Sequence, residues 1–132
     1  MSPTTEHLFV YGTLMRDQES PVKAMFQEST DFVTQAWCPG LLYDAGGYPG
    51  LVEVEDFAHW VKGEVFRLKS SGTILEHLDK YEECHPSFPQ PWEYHRKQLG
   101  VVAASGETMD CWVYCYAWDI KDLRLIHSGE WT

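Results

Sequence analysis

The stretch from Met109 to Trp118 constrains the fold more than any other part of the chain. In an extended conformation Trp112, Tyr114, Tyr116 and Trp118 fall on one face, and Cys111, Val113, Cys115 and Ala117 fall on the other. A strand of this kind has no polar side to offer to water, so both of its faces must be covered. Large residues on one side and small ones on the other suit a strongly curved sheet.

The preceding segments supply what such a sheet needs. Leu8 to Tyr11 form a short apolar run that Gly12 breaks. Ser20-Pro21 has the form of a helix start leading into Val22, Ala24, Met25 and Phe26. Phe32, Val33, Ala36 and Trp37 predict a strand ended by Pro39-Gly40, with Leu41 to Tyr43 as a further short run. Asp44 to Gly50 is dense in glycine and proline, and reads equally as a hairpin or a backbone-lined pocket wall. Leu51 to Val54 and Val61 to Leu68 read as strands joined by a turn around Asp56 to His59. Within the second, Gly63 marks a bulge or a close approach to bare backbone. Ser70 to Thr73 begins a helix, with Thr73 and Glu76 in capping-box spacing and Ile74, Leu75, Leu78, Tyr81 and Glu82 on one face. Three prolines make Cys84 to Pro91 a loop, and Trp92 to Ala104 has strand character before a turn at Ser105-Gly106. Strand segments outnumber helices and are too short for a doubly wound parallel sheet. The expectation is an α+β fold, a small mixed β-barrel or strongly curved sheet with flanking helices, in a single domain spanning 1–132.

Charge narrows the partners. A formal net charge of -10 opposes nucleic acid and anionic membranes, and requires that any anionic substrate be held by local donors. No apolar run approaches the roughly 20 residues that span a bilayer. Met1 to Glu6 lacks the basic and apolar regions of a signal peptide, so a cytoplasmic protein is expected. Cys38, Cys84, Cys111 and Cys115 form no Cys-x-x-Cys pair, which predicts free buried thiols and no zinc site. Neither a metal nor a cofactor is expected.

Two places can carry chemistry. Around Gly12, successive backbone N–H groups can form a concavity for an anion or a polarised carbonyl, or the glycine is simply a strand-end turn. Glu82 sits on the apolar stripe in the last helical turn, where burial and the helix dipole both raise a carboxylate's pKa. Such a carboxylate can move a proton near neutral pH. The alternative is a frayed helix end beyond Lys80 with Glu82 solvated. Glu83 lies about 100° off the stripe and reads as a surface charge. Cys84-His85 suggests a nucleophile, although sequence neighbours seldom point at one another. The aromatic face of Trp112 to Trp118 is either core or a pocket wall.

Taken together, five segments resemble the gamma-glutamylcyclotransferase-like superfamily. Tyr11-Gly12-Thr13-Leu14 is similar to its Tyr-Gly-Ser/Thr-Leu signature, and Leu78-Asp79-Lys80-Tyr81-Glu82 to its Leu-Asp-x-x-Glu segment. Gly63 to Phe66, Tyr94 with Arg96, and Ile126 to Trp131 resemble further segments of the family in the same order. Glu83 departs from the glycine that many members carry after the catalytic residue. The resemblance implies a mixed barrel of about six or seven strands with a cavity at its mouth. It also implies cofactor-free release of 5-oxoproline from a small gamma-glutamyl amino acid or amine. Glu82 would then be the catalytic acid/base, and Tyr11, Gly12, Thr13, Leu14, Tyr94 and Tyr116 would bind the substrate. A non-catalytic metabolite-binding domain of the same fold and a Cys84-dependent hydrolase are the competing readings. The leaving amine and the oligomeric state are not specified.

Overall fold

The computed structural model describes residues 6–55, 58–69 and 71–131. Ser70, part of the expected helix start, and Asp56, part of the expected turn, lie outside the described residues. The elements run β1 (His7–Val10), α1 (Lys23–Ser29), β2 (Thr30–Asp44), β3 (Pro49–Glu53), β4 (Trp60–Leu68), α2 (Ser71–Tyr81), β5 (Tyr94–Ala103), β6 (Thr108–Tyr116) and β7 (Arg124–Leu125). No described helix is long and apolar enough to cross a membrane.

Antiparallel pairing joins β1 to β4, β4 to β2 and β2 to β3. Parallel pairing of β3 with β6 and of β6 with β1 closes the ring. The result is a five-stranded mixed barrel, with β5 bridging β6 and β2 and the short β7 lying on β2. The alternation of β6 is what closure requires. Cys111, Val113 and Cys115 join Phe9, Tyr11, Leu42, Leu51, Val65 and Val101 in one core cluster. Tyr114 and Tyr116 face a second cluster that includes Leu8, Phe26, Phe66, Ile74, Leu75 and Leu78. Trp118 lies beyond the end of β6 and is exposed, so the expected aromatic stripe stops at Tyr116.

Three local expectations are corrected. Pro39-Gly40 does not end a strand, because β2 runs through it and changes partner there, from β4 at Pro39 to β3 at Gly40. A proline's missing donor costs little where the ladder switches sides. Helix α1 begins at Lys23 rather than at Pro21, and Ser20 Oγ instead accepts from Val22 N at 3.3 Å. Helix α2 begins at Ser71, which puts Thr73 inside the helix and leaves Glu76 paired with Lys80 at 3.7 Å. Gly63 proves to be a close approach. A Cβ there would lie 2.3 Å from Val10 O and 2.6 Å from the Phe9 ring.

The glycine-rich segment after β2 turns the hairpin into β3. Asp44 Oδ1 accepts from Gly46 N at 2.9 Å and Gly47 N at 2.8 Å. All four cysteines are free and buried.

Candidate active site

One cavity of about 370 Å³ opens where the end of β1, the following turn, the β2–β3 hairpin and the end of α2 converge. That volume suits a small metabolite. Phe9 to Leu14 form one wall, Tyr48 and Pro49 another, Tyr81 to Glu83 a third, and Glu93, Tyr94 and Tyr114 the remainder. No lysine, arginine or histidine is among these lining residues, whereas Glu82, Glu83 and Glu93 are.

The end of α2 aims Glu82 into the cavity. Leu78 is fully buried on the apolar stripe, and Glu82 N still donates to Leu78 O at 2.8 Å, so Glu82 caps the helix rather than fraying from it. Glu83 then adopts φ 58, its N–H bonding Lys80 O at 3.1 Å, while Cys84 N bonds Asp79 O at 2.9 Å. This pair of bonds around a left-handed residue is the Schellman closure, in which glycine is the usual occupant. The departure at Glu83 is therefore a backbone matter, and it costs about 1–2 kcal/mol of strain relative to an unstrained position. The chain turns abruptly after Glu82. Burial, and then the neighbouring Glu93 carboxylate, push the Glu82 carboxyl up to about 7.

Asp79, three residues before Glu82, pins this end of the helix to the sheet. Arg96 on β5 reaches it with Nε at 2.8 Å and Nη2 at 3.2 Å, and the Tyr114 hydroxyl on β6 donates to it at 2.7 Å. Arg96 also lies over the Trp112 ring at 4.3 Å. A planar guanidinium gripped by a carboxylate in two places fixes orientation as well as distance.

The turn after β1 lines the same cavity. Met15 N closes the turn on Gly12 O at 3.0 Å. No acceptor for the N–H groups of Gly12, Thr13 or Leu14 occurs among the described residues. A Cβ at position 12 would meet Pro49 Cγ at 2.7 Å, so glycine lets the hairpin seat against the turn. Tyr11 braces the same junction: Leu51 N donates to its hydroxyl at 3.1 Å, and the hydroxyl donates to Tyr114 O at 2.5 Å. Tyr94 donates to Pro49 O at 2.6 Å. Burial raises the pKa of both phenols, so both stay protonated. Tyr48 donates to Glu93.

Of the residues predicted for the site, Glu82, Tyr11, Gly12, Thr13, Leu14 and Tyr94 line one cavity. Tyr116 does not. Its ring packs edge-on against Tyr94 at 5.5 Å and covers Gly50, which makes it a support behind the wall. Tyr48 and Pro49 belong to the glycine-rich segment for which a pocket wall is one of two readings, whereas Glu93 is not singled out by the sequence, although it precedes Tyr94, and Glu83, read as a surface charge, also lines the cavity. Cys84 offers no nucleophile. Burial and then the Asp79 carboxylate push its thiol up to about 12, and His85 Nδ1 is engaged with Ser87 Oγ at 2.8 Å. Among the described residues no group of three or more His, Cys, Asp or Glu side chains could hold a metal ion.

Comparison with known proteins gives a consistent result. Residues 8–132 match the family model described as gamma-glutamyl cyclotransferase, AIG2-like. An Escherichia coli protein named gamma-glutamylcyclotransferase family protein YtfP is 30% identical over 94% of each chain. A Rattus norvegicus protein named gamma-glutamylaminecyclotransferase is 29% identical over 84% of this chain and 78% of its own. The crystal structure of an AIG2-like protein from Mus musculus superposes with a TM-score of 0.67 at 30% identity, covering 87% of this chain and 79% of that one.

Proposed function

The chain belongs to the gamma-glutamyl cyclotransferase, AIG2-like family, and from that premise we propose that it is a cofactor-free cyclotransferase releasing 5-oxoproline from a small gamma-glutamyl compound. The family and the names of its relatives support activity of the gamma-glutamylcyclotransferase type. The observation that carries the finer reading is that one cavity of metabolite size is lined both by a carboxyl with its pKa pushed up to about 7 and by a turn whose N–H groups have no acceptor among the described residues.

In this mechanism the ionised Glu82 carboxylate takes a proton from the substrate's α-ammonium. The freed amine attacks the γ-carbonyl carbon and forms the C–N bond of a five-membered ring. The bond to the leaving nitrogen then breaks as the proton held by Glu82 passes to that nitrogen, and the ring nitrogen's remaining extra proton is taken by the regenerated carboxylate and passed to the released amine, which departs as its ammonium. A group titrating near 7 serves as both base and acid at neutral pH. The N–H groups of Gly12, Thr13 and Leu14 hold the substrate carboxylate or the polarised carbonyl oxygen. Ring closure then needs chiefly the correct orientation, which the tyrosine-braced walls supply. Because carboxylates and no basic side chains line the cavity, the reading favours leaving groups that carry a cation over acidic ones.

The test is 5-oxoproline release from a panel of gamma-glutamyl amino acids and amines with neutral, cationic and acidic leaving groups. Turnover by the parent, lost by about 10²–10⁴-fold in Glu82→Gln, is the expected result. Undiminished activity in that variant defeats the assignment of the base. Ligand-induced thermal stabilisation without turnover across the panel would indicate a binding domain instead.

A further inference from the structure

Lys23 and Glu64 are the least exposed charged residues among the described residues, each 8% exposed. Neither lines the cavity. Removing an ammonium or a carboxylate from water costs several kcal/mol unless its hydrogen bonds are replaced. Both side chains find their replacement in the same place, the segment that follows the Gly12 turn. Lys23 Nζ donates to Met15 O at 2.6 Å, to Arg16 O at 3.0 Å and to Gln18 O. Glu64 on β4 accepts from Arg16 N at 2.8 Å and from Arg16 Nε at 3.0 Å. Arg16 in turn lies over the Phe32 ring at 3.5 Å.

These bonds leave the turn little freedom. Met15 both closes the turn through its N–H to Gly12 O and presents its carbonyl to Gln18 N at 3.0 Å and to Lys23. Rotating the peptides at Gly12 to Leu14 would drag Met15 away from a buried ammonium. Lys23 itself is anchored, since it opens α1 and Phe26 of that helix packs edge-on against Phe66 at 4.9 Å.

Resting on the reading of Gly12 to Leu14 as the substrate's anion site, we infer that Lys23, assisted by Glu64, is a positioning residue that holds those N–H groups in place without touching the substrate. The loop carbonyls are drawn to the ammonium, and the turn's geometry is set before substrate arrives.

Lys23→Met tests this, because it keeps the apolar stem and removes the ammonium. Two readouts separate the inference from the reading it rests on. Amide exchange in the free protein is expected to speed up by about tenfold or more within residues 12–18, at the hydrogen-bonded amides of Met15, Arg16 and Gln18, and to stay unchanged in β4. With the best substrate of the panel, KM is expected to rise about tenfold or more while kcat and the pH dependence set by Glu82 are retained. Unchanged exchange at 12–18 in the folded variant overturns the inference, and so does faster exchange with an unchanged KM. If the parent turns over no panel member, the cyclotransferase reading fails, and the exchange measurement alone decides whether Lys23 positions the turn. Should Lys23→Met not fold, Glu64→Gln is read in the same way, and unaltered exchange and KM there overturn the assignment.

Discussion

The two walls of the cavity are built on opposite principles. Around Gly12 the wall is a turn whose N–H groups have no acceptor among the described residues, and two buried charges bond the segment that follows it. At the end of α2 a carboxyl lines the cavity, and Arg96 and Tyr114 grip the helix at Asp79, while the charge that acts on Glu82 is the like charge of Glu93. Behind the first wall the buried ammonium and carboxylate are both hydrogen-bonded. The second keeps a carboxylate in surroundings that penalise its charge, at a cost in stability that the proposed acid/base role would require.

The largest effect expected from breaking this contrast is the loss of turnover in Glu82→Gln. Next comes Arg96→Met, which leaves the mostly buried Asp79 with no cation, only the Tyr114 hydroxyl and the weak Cys84 thiol donor opposite it among the described residues. Chemical denaturation should show a loss of about 2–3 kcal/mol, with kcat falling further than KM rises as Glu82 loses its register. Glu82→Gln should also reverse the stability cost. The native carboxyl titrates near 7 and an unfolded one near 4.5, so between those values the folded state binds more protons and stability falls as pH rises. The variant is therefore expected to be more stable above pH 7, on the order of 2 kcal/mol by urea melts, with the gain absent below pH 4.5. Glu83→Gly should relieve the left-handed residue and add about 1 kcal/mol, while a variant no more stable than the parent would mean that the Schellman turn is unstrained. The smallest effect is that of Glu93→Gln. Because Glu93 ranks second to burial in raising Glu82, the acidic limb of kcat/KM should move down by less than about one pH unit. An unmoved limb would leave burial as the whole cause.

Much of the second wall was legible before the fold was known. Ile74, Leu75, Leu78 and Tyr81 define a stripe by spacing alone, and Glu82 continues it. The grip on Asp79 was not legible, because Arg96 and Tyr114 come from strands 17 and 35 residues away. The first wall was less readable still. A lysine in a short helix after a polar run looks like surface, and nothing local says that its ammonium replaces water with carbonyls from residues 15 to 18. Pro39-Gly40 misled for a related reason. Local chemistry predicts a break, but a strand that changes neighbours at that point loses little by having no donor there.

By itself, then, the order of residues determined the periodicities and the turn chemistry. It put a strand apolar on both faces, a carboxylate on an apolar stripe and a glycine after a buried strand into one chain. These are properties of neighbours, with repeats of two or 3.6 residues. Tertiary structure alone decided that the carboxylate and the glycine turn face one cavity, that Tyr116 stands behind its wall, and which charges hold each side in place. Barrel closure brings those groups together across long stretches of chain, and burial then sets the carboxyl's pKa, because desolvation depends on what surrounds a group in space.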